Sequence, residues 1–210
     1  MAIVRVREHV NPLSRRYQTP IDPPDWDKVF ADPGLPLHLD IGCGRGRFLL
    51  EMATLDSGWN FLGLEIREPL VEQALLWCNE AGLQNLHYLF CNVSNSLDPL
   101  LASLPPQTLS RVTIQFPDPW FKRKHHKRRV VQSEMVETLA QYLTIGGVLF
   151  VQSDIQKLAQ EVVDRIAKHA AFERTSIDWL PENPLAIPTE REMMVQAYGD
   201  PVYRAVFQKR

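Results

Sequence analysis

The chain has 210 residues, 45% of them apolar and 23% charged, with a formal net charge of −2. That length supports one large core and is too short for two generous domains, and the composition is that of a globular protein. A net charge so near zero argues against an indiscriminate polyanion binder, and no stretch approaches membrane-spanning length or the apolar core of a signal peptide. The three cysteines, Cys43, Cys78 and Cys91, have no CxxC spacing and no companion histidines. They read as buried, reduced thiols of a soluble cytoplasmic protein, with neither a disulfide framework nor a metal site.

Residues 1–33 are rich in Arg and Pro and have no sustained period, which predicts an extended, flexible arm ahead of a domain over 34–210. Regular alternation then begins. Leu37 to Ile41 reads as a strand, followed by Gly42-Cys43-Gly44-Arg45-Gly46 and a helix over Arg47 to Leu55. Phe61 to Ile66 is a second strand. Pro69 opens a helix whose stripe of Leu70, Ala74, Leu75 and Cys78 runs to Gly82. Leu86 to Cys91 and Val112 to Phe116 are the third and fourth strands. A helix over Val130 to Leu143, a strand over Val148 to Gln152 and a helix opened by Asp154 follow. Thr175 to Trp179 and Tyr203 to Phe207 close the series as strands. Such alternation implies an α/β fold, a mostly parallel sheet with helices on both faces, and ligands at the strands' carboxyl ends. Asp40, Glu65, Asn92, Asp118 and Asp154 all fall there.

The glycine turn lets a cofactor approach the backbone, which by itself fits a dinucleotide, a methyl donor or tight packing. Its spacing, Gly42-x-Gly44-x-Gly46, departs from the dinucleotide fingerprint, which wants its third glycine where Arg47 stands. Asp40 would repel a pyrophosphate but suits the α-ammonium of S-adenosylmethionine. Glu65 can accept from both ribose hydroxyls of either cofactor, and Asn92 can reach an adenine edge or merely close a turn.

The densest signal follows the fourth strand. Pro117 and Pro119 cannot donate to a sheet ladder, so they stop the strand and fix Asp118 and Trp120 at its mouth. Six cations come within the next eight residues: Lys122, Arg123, Lys124, Lys127, Arg128 and Arg129. Without them the rest of the chain has 17 basic and 25 acidic residues, a net of −8. A positioned acid and indole beside a basic stripe point to an enzyme acting on a base within a phosphate-rich polymer. A solvated charged loop is the plainer alternative.

With these elements in order, the chain resembles the bacterial TrmB-type tRNA (guanine-N7-)-methyltransferases. The most specific match is Phe116-Pro117-Asp118-Pro119-Trp120 with Lys122 and Lys127-Arg128-Arg129; Asp40-Ile41-Gly42-Cys43-Gly44, Gly63-Leu64-Glu65-Ile66, Gly146-Gly147-Val148 and Thr189-Glu190-Arg191-Glu192 support it. The resemblance implies a Rossmann-like fold and methylation of guanine 46 in the tRNA variable loop. It implies donor contacts from Asp40, Gly42, Gly44, Glu65, Asn92 and Asp118, and substrate contacts from Lys122, Asp154, Thr189, Glu190, Arg191 and Glu192. Lys124, His125, His126, Lys127, Arg128 and Arg129 would meet the RNA, in a monomer or homodimer. Asp40 stands where many relatives have Glu, Asn92 where many have Asp, and Arg191 where an aromatic is common. Asp118 is the expected catalytic acid, by electrostatic stabilisation, while Trp120 either supports the flipped base or packs as a wedge. A catalytically silent RNA-binding protein would keep the basic run while losing Asp118 or the glycine turn, and a nicotinamide oxidoreductase is disfavoured by Asp40.

Overall fold

A computed structural model describes residues 10–210; the arm's first nine positions lie outside the described residues. Seven strands form one sheet in the order β3-β2-β1-β4-β5-β7-β6. They are β1 (Leu37–Ile41), β2 (Asn60–Glu65), β3 (Leu86–Phe90), β4 (Leu109–Gln115), β5 (Val148–Ser153), β6 (Phe172–Arg174) and β7 (Tyr203–Lys209). The first five pair in parallel, and β7 runs antiparallel between β5 and β6. The chain winds outward from β1 to β3 and then returns to place β4 beside β1. That reversal opens a crevice at the strands' carboxyl ends.

The central strands β1 and β2 are buried at every residue, as strands covered on both faces must be. Helices α2 (Arg47–Leu55) and α3 (Glu68–Glu80) contribute Phe48, Leu49, Val71 and Ala74 to one core cluster, with Phe61 and Tyr88 from the sheet. Helices α4 (Val93–Ala102), α5 (Ser133–Tyr142) and α6 (Gln156–Ala167) pack with the other. The short helix α1 (Trp26–Val29) places Trp26 in that second cluster, stacked on Phe30 with ring centroids 5.8 Å apart. Burying two such rings contributes on the order of 2–3 kcal/mol each. Cys78 and Cys91 are buried free thiols, as expected, whereas Cys43 is only half-buried.

Three local expectations change. Helix α4 was not legible, because Ser94-Asn95-Ser96 and Pro99 interrupt its apolar stripe; Leu97, Leu100 and Leu101 bury it nonetheless. Helix α5 begins at Ser133 instead of Val130, since Gln132 Nε2 donates to the carbonyls of His126 and Arg129 and holds the entry extended. The strand expected over Thr175 to Trp179 is instead Phe172–Arg174. After Arg174 the backbone bonds to β7 through Thr175 N to Val206 O and Leu180 N to Arg204 O, both 3.0 Å, with Trp179 edge-on to Tyr203 between them, so no continuous strand pairing forms.

Candidate active site

The crevice is lined by the carboxyl ends of four adjacent strands, including Gly42, Glu65, Asn92 and Gln115, and by Asp118 and Trp120 beyond β4. Gly42 and Gly44 have φ of +80° and +59°, a left-handed region that costs an L side chain strain. A Cβ at Gly42 would meet no atom within 4 Å, so the backbone there faces open space.

Asp40 lies just behind this surface, on β1. Thr113 Oγ1 donates to its Oδ1 at 2.6 Å and Gln115 Nε2 reaches the same oxygen at 3.4 Å. Its Oδ2 has no hydrogen bond among the described residues, and no cation pairs with it. Burial therefore dominates and pushes the carboxyl up to about 6, with the nearby Glu65 carboxylate adding to the rise. Thr113 also accepts from or donates to His38 Nε2 at 3.1 Å. Because the threonine proton is committed to Asp40, His38 acts as the donor, and burial holds its imidazole neutral.

Glu65 is bound from several directions. Its Oε1 accepts from Ile66 N, Arg67 N and Arg67 Nε, and its Oε2 from Gly44 N at 3.0 Å and Arg67 Nη2 at 2.8 Å. The carboxylate thereby ties the glycine turn to the end of β2. Arg67 was missed by sequence reasoning, although its place two residues after Glu65 was a usable signal. Its charge is favoured by both Glu65 and Asp118, so one guanidinium joins the two acids of the crevice.

Beyond β4 the backbone is strained. Phe116 and Trp120 have φ of +49° and +41°, unusual for non-glycine residues, and they bracket Pro117-Asp118-Pro119. Strain of this kind costs on the order of 1–3 kcal/mol per residue and persists where surrounding structure imposes it, typically at functional sites. Phe116 N donates to Gln152 O at 2.8 Å, and Arg129 Nε donates to Pro119 O at 2.8 Å, so both ends of the turn are pinned. Trp120 serves as packing for the loop: Arg128 lies over its ring at 4.9 Å and His125 meets it edge-on at 5.8 Å.

The basic run forms a short 3-10 helix, Arg123–Arg128. Lys122, Arg123, Lys124 and Lys127 project into solvent, whereas His125, His126 and Arg128 are half-buried. His125 is held below the usual histidine range by its partial desolvation and by Arg128, Lys124 and Lys122. Arg129 differs from its neighbours. Its side chain is 12% exposed and ion-paired with Glu161, which makes it a clamp between the loop and α6 and leaves it little reach toward a phosphate.

Asn92 also departs from expectation. It caps α4 by accepting from Ser94 N at 3.1 Å, while its Nδ2 donates to the carbonyls of Pro12 and Tyr17, each at 3.0 Å. Its amide is spent on the N-terminal segment, and Val10 and Pro12 thereby join the crevice wall. An aspartate could not make those two donations.

The C-terminal element starts helix α7 (Glu190–Ala197), with Thr189 Oγ1 accepting from Glu192 N as its N-cap. Glu190 pairs with Arg47 at 3.3 Å, and Arg191 pairs with Asp154. That pairing, and not a helix cap, occupies Asp154; Ile155 holds the cap position of α6. Glu192, expected to face substrate, has a side chain that is 0% exposed and is bound by Arg204 of β7 at 2.7 Å. It anchors α7 from inside. Lys122 lies in the solvent-exposed loop.

A methyltransferase family model, described as "Putative methyltransferase", matches residues 35–205. A tRNA (guanine-N(7)-)-methyltransferase of Trichormus variabilis is 58% identical over 210 residues, covering 100% of this chain and 98% of that protein. One from Synechococcus elongatus is 57% identical, covering 99% and 97%. The chain belongs to the tRNA (guanine-N(7)-)-methyltransferase family. Its fold is also that of more distant methyltransferases. A 30S ribosomal A1408 methyltransferase from an uncultured bacterium superposes with a TM-score of 0.56 at 16% identity, covering 87% of this chain and 90% of that one. A SAM-dependent methyltransferase from Aquifex aeolicus gives 0.55 at 14% identity, covering 89% and 90%.

Proposed function

We propose that the protein transfers a methyl group from S-adenosylmethionine to N7 of guanine 46 in the tRNA variable loop, in the cytoplasm. The observation that carries the reading is the juxtaposition, in one crevice, of the open glycine turn, Glu65 and Asp118, with the basic loop continuing directly from Trp120. Asp40 supports the choice of cofactor. A buried carboxylate with only neutral donors on one oxygen fits an ammonium group and opposes a pyrophosphate. Glu65 would hold the ribose, its diol replacing part of the bond set that Arg67 now supplies, and Gly42 leaves room for the amino-acid portion.

S-adenosylmethionine supplies an electrophilic sulfonium methyl. Guanine N7 already has a lone pair, so no residue need remove a proton before attack. The ring gains positive charge as the bond forms, and Asp118, held between two strained residues, opposes that charge and accepts from the base's donor edge. Lys122, Lys124 and Lys127 supply exposed cations for the phosphates, and half-buried His125 gains a proton more readily when a phosphate offsets the cations beside it. Glu190 and Arg191, ion-paired with Arg47 and Asp154, would meet the guanine-bearing loop. The experiment is labelled methyl transfer to unmodified tRNA, followed by digestion and mapping of the nucleoside. The expected product is 7-methylguanosine at position 46; a different methylated base, or calorimetric binding of NAD with none of the methyl donor, overturns the reading.

A further inference from the structure

We propose that Gln115, Gln152 and Arg204 are positioning residues that brace Asp40, on the cofactor side, against Glu192, the root of the substrate-side helix α7. The inference rests on the function proposed above. Gln115 on β4 is directly opposite Gln152 on β5, and Gln152 is directly opposite Arg204 on β7. Directly paired residues share a face of the sheet, so the three side chains form one row across it. Asp40 pairs with Thr113, two residues before Gln115, and so meets the row from the same face.

Every link in the row is a hydrogen bond. Gln115 Nε2 reaches Asp40 Oδ1 at 3.4 Å, and Gln152 Nε2 donates to Gln115 Oε1 at 2.8 Å and to Glu192 Oε2 at 3.0 Å. Gln152 Oε1 accepts from Arg204 Nε at 3.2 Å, and Arg204 Nη2 donates to Glu192 Oε1. Asn183 Nδ2 adds a further bond to Glu192 at 2.6 Å. The row and the two acids it links are all buried. The amide of Gln152 has a single satisfactory orientation, because its donors face two acceptors and its oxygen faces Arg204. One carboxylate therefore cannot rotate without disturbing the chain that ends on the other.

This arrangement exceeds what packing requires. Apolar residues of similar volume fill the space between strands without the desolvation of a buried ion pair, whereas a fully connected polar network fixes one geometry. Here the geometry fixed is the distance from the ammonium-binding acid to the root of Thr189-Glu190-Arg191. Glu190 and Arg191 in turn pair with Arg47 and Asp154. A row that spans four strands thus sets donor and acceptor sides at one spacing, and the rate of methyl transfer depends steeply on such spacing.

The test is a double-mutant cycle on the full-length protein with Gln115→Met and Gln152→Met, which keep volume and remove the amides. Calorimetry measures S-adenosylmethionine affinity, and single-turnover methylation of unmodified tRNA at saturation measures rate. Gln152→Met is expected to weaken cofactor binding about threefold or more, although it touches no cofactor, and to slow single turnover about tenfold or more. In a Gln115→Met background its effect on cofactor affinity should vanish, because the chain is already cut. Should Gln152→Met not fold, Arg204→Lys, which keeps a cation beside Glu192 but loses the Nε donor, enters the same cycle. Lower thermal stability with unchanged rate and affinity, or affinity losses that simply multiply, overturns the inference. A wild-type protein that methylates no tRNA overturns the functional reading and this inference with it; an active wild type with an equally active folded variant overturns the inference alone.

Discussion

Replacing Asp40 by Asn should make the empty protein more stable and the cofactor complex weaker. The carboxyl is raised from 3.8 to about 6, chiefly by burial, so keeping it ionised at neutral pH costs about 3 kcal/mol at 1.36 kcal/mol per pKa unit. Asparagine preserves the accepting oxygen that Thr113 and Gln115 both use and removes the charge. The expected gain has a ceiling of about 3 kcal/mol, or roughly 6–12 °C in Tm for a chain of this size. The sign depends on pH. Between about pH 3.8 and 6 the folded state holds a proton that the unfolded state has released, so wild-type stability from this group is full below 3.8 and lost as pH rises to about 6. The variant's advantage should therefore appear above pH 6 and disappear near pH 4. Cofactor binding moves the opposite way. Removing one partner of a buried charge pair costs on the order of 2–5 kcal/mol. Wild-type affinity should also fall about tenfold per pH unit below 6, where pairing must first expel a proton, whereas the variant's should be nearly flat. Thermal melts and calorimetry from pH 4 to 8 measure both. A variant less stable than wild type at pH 7.5 that still binds S-adenosylmethionine normally refutes the assignment of Asp40 as an ammonium site.

Asp118→Ala should lower methyl transfer about a hundredfold or more with an unchanged circular dichroism spectrum; near-normal single-turnover rates would make Asp118 a strand-end residue only. Neutralising Lys124 or Lys127 should weaken tRNA binding with little regard to sequence and reduce the slope of log affinity against log salt by about one unit or less. Arg129→Ala should instead cost folding stability, read by denaturant titration, because it leaves Glu161 and the Pro119 carbonyl without their partner; equal stability with a reduced salt slope would return it to the phosphate group. Asn92→Asp should loosen the Pro12 and Tyr17 carbonyls, which then keep only Gln18 Nε2 and Asn95 Nδ2 as donors, at a cost of about 1 kcal/mol per lost bond, and raise protease sensitivity near residues 12–17; an unchanged cleavage pattern would count against the clasp.

Most of the sheet was legible because its strands are short apolar runs set between glycine and proline signals, and α2 matches its expected bounds of Arg47 to Leu55. The elements that were misjudged share a cause. Helix α4 and the Phe172–Arg174 strand are specified by what they pack against, Leu97 and Leu100 on the core and β7 on the sheet edge, and not by local period. The site divides in the same way. Asp40, Glu65 and Asp118 stand at or just beyond strand ends, where ligands of such folds bind, so their positions could be read from the sequence. Arg204 and Gln152 act through Glu192, 12 and 40 residues away, and a single chain carries no sign of such a meeting, whereas Arg67 stands beside Glu65 in sequence and was within reach.

That division also accounts for the different fates of the basic residues. Lys124 and Lys127 end in solvent, whereas Arg129, in the same run, is drawn inward by Glu161, 32 residues later. A charge run signals where cations are concentrated; tertiary partners decide which remain available to phosphate. The arginine clamp and the two prolines hold one side of the Asp118 turn, and the β5 carbonyl of Gln152 holds the other. Asp118 thus depends on the same strand pair that carries the buried polar row. Loop, acid and helix α7 all take their positions from β4 and β5, so a change at the centre of the sheet should reach the chemistry before a change at the more exposed loop does.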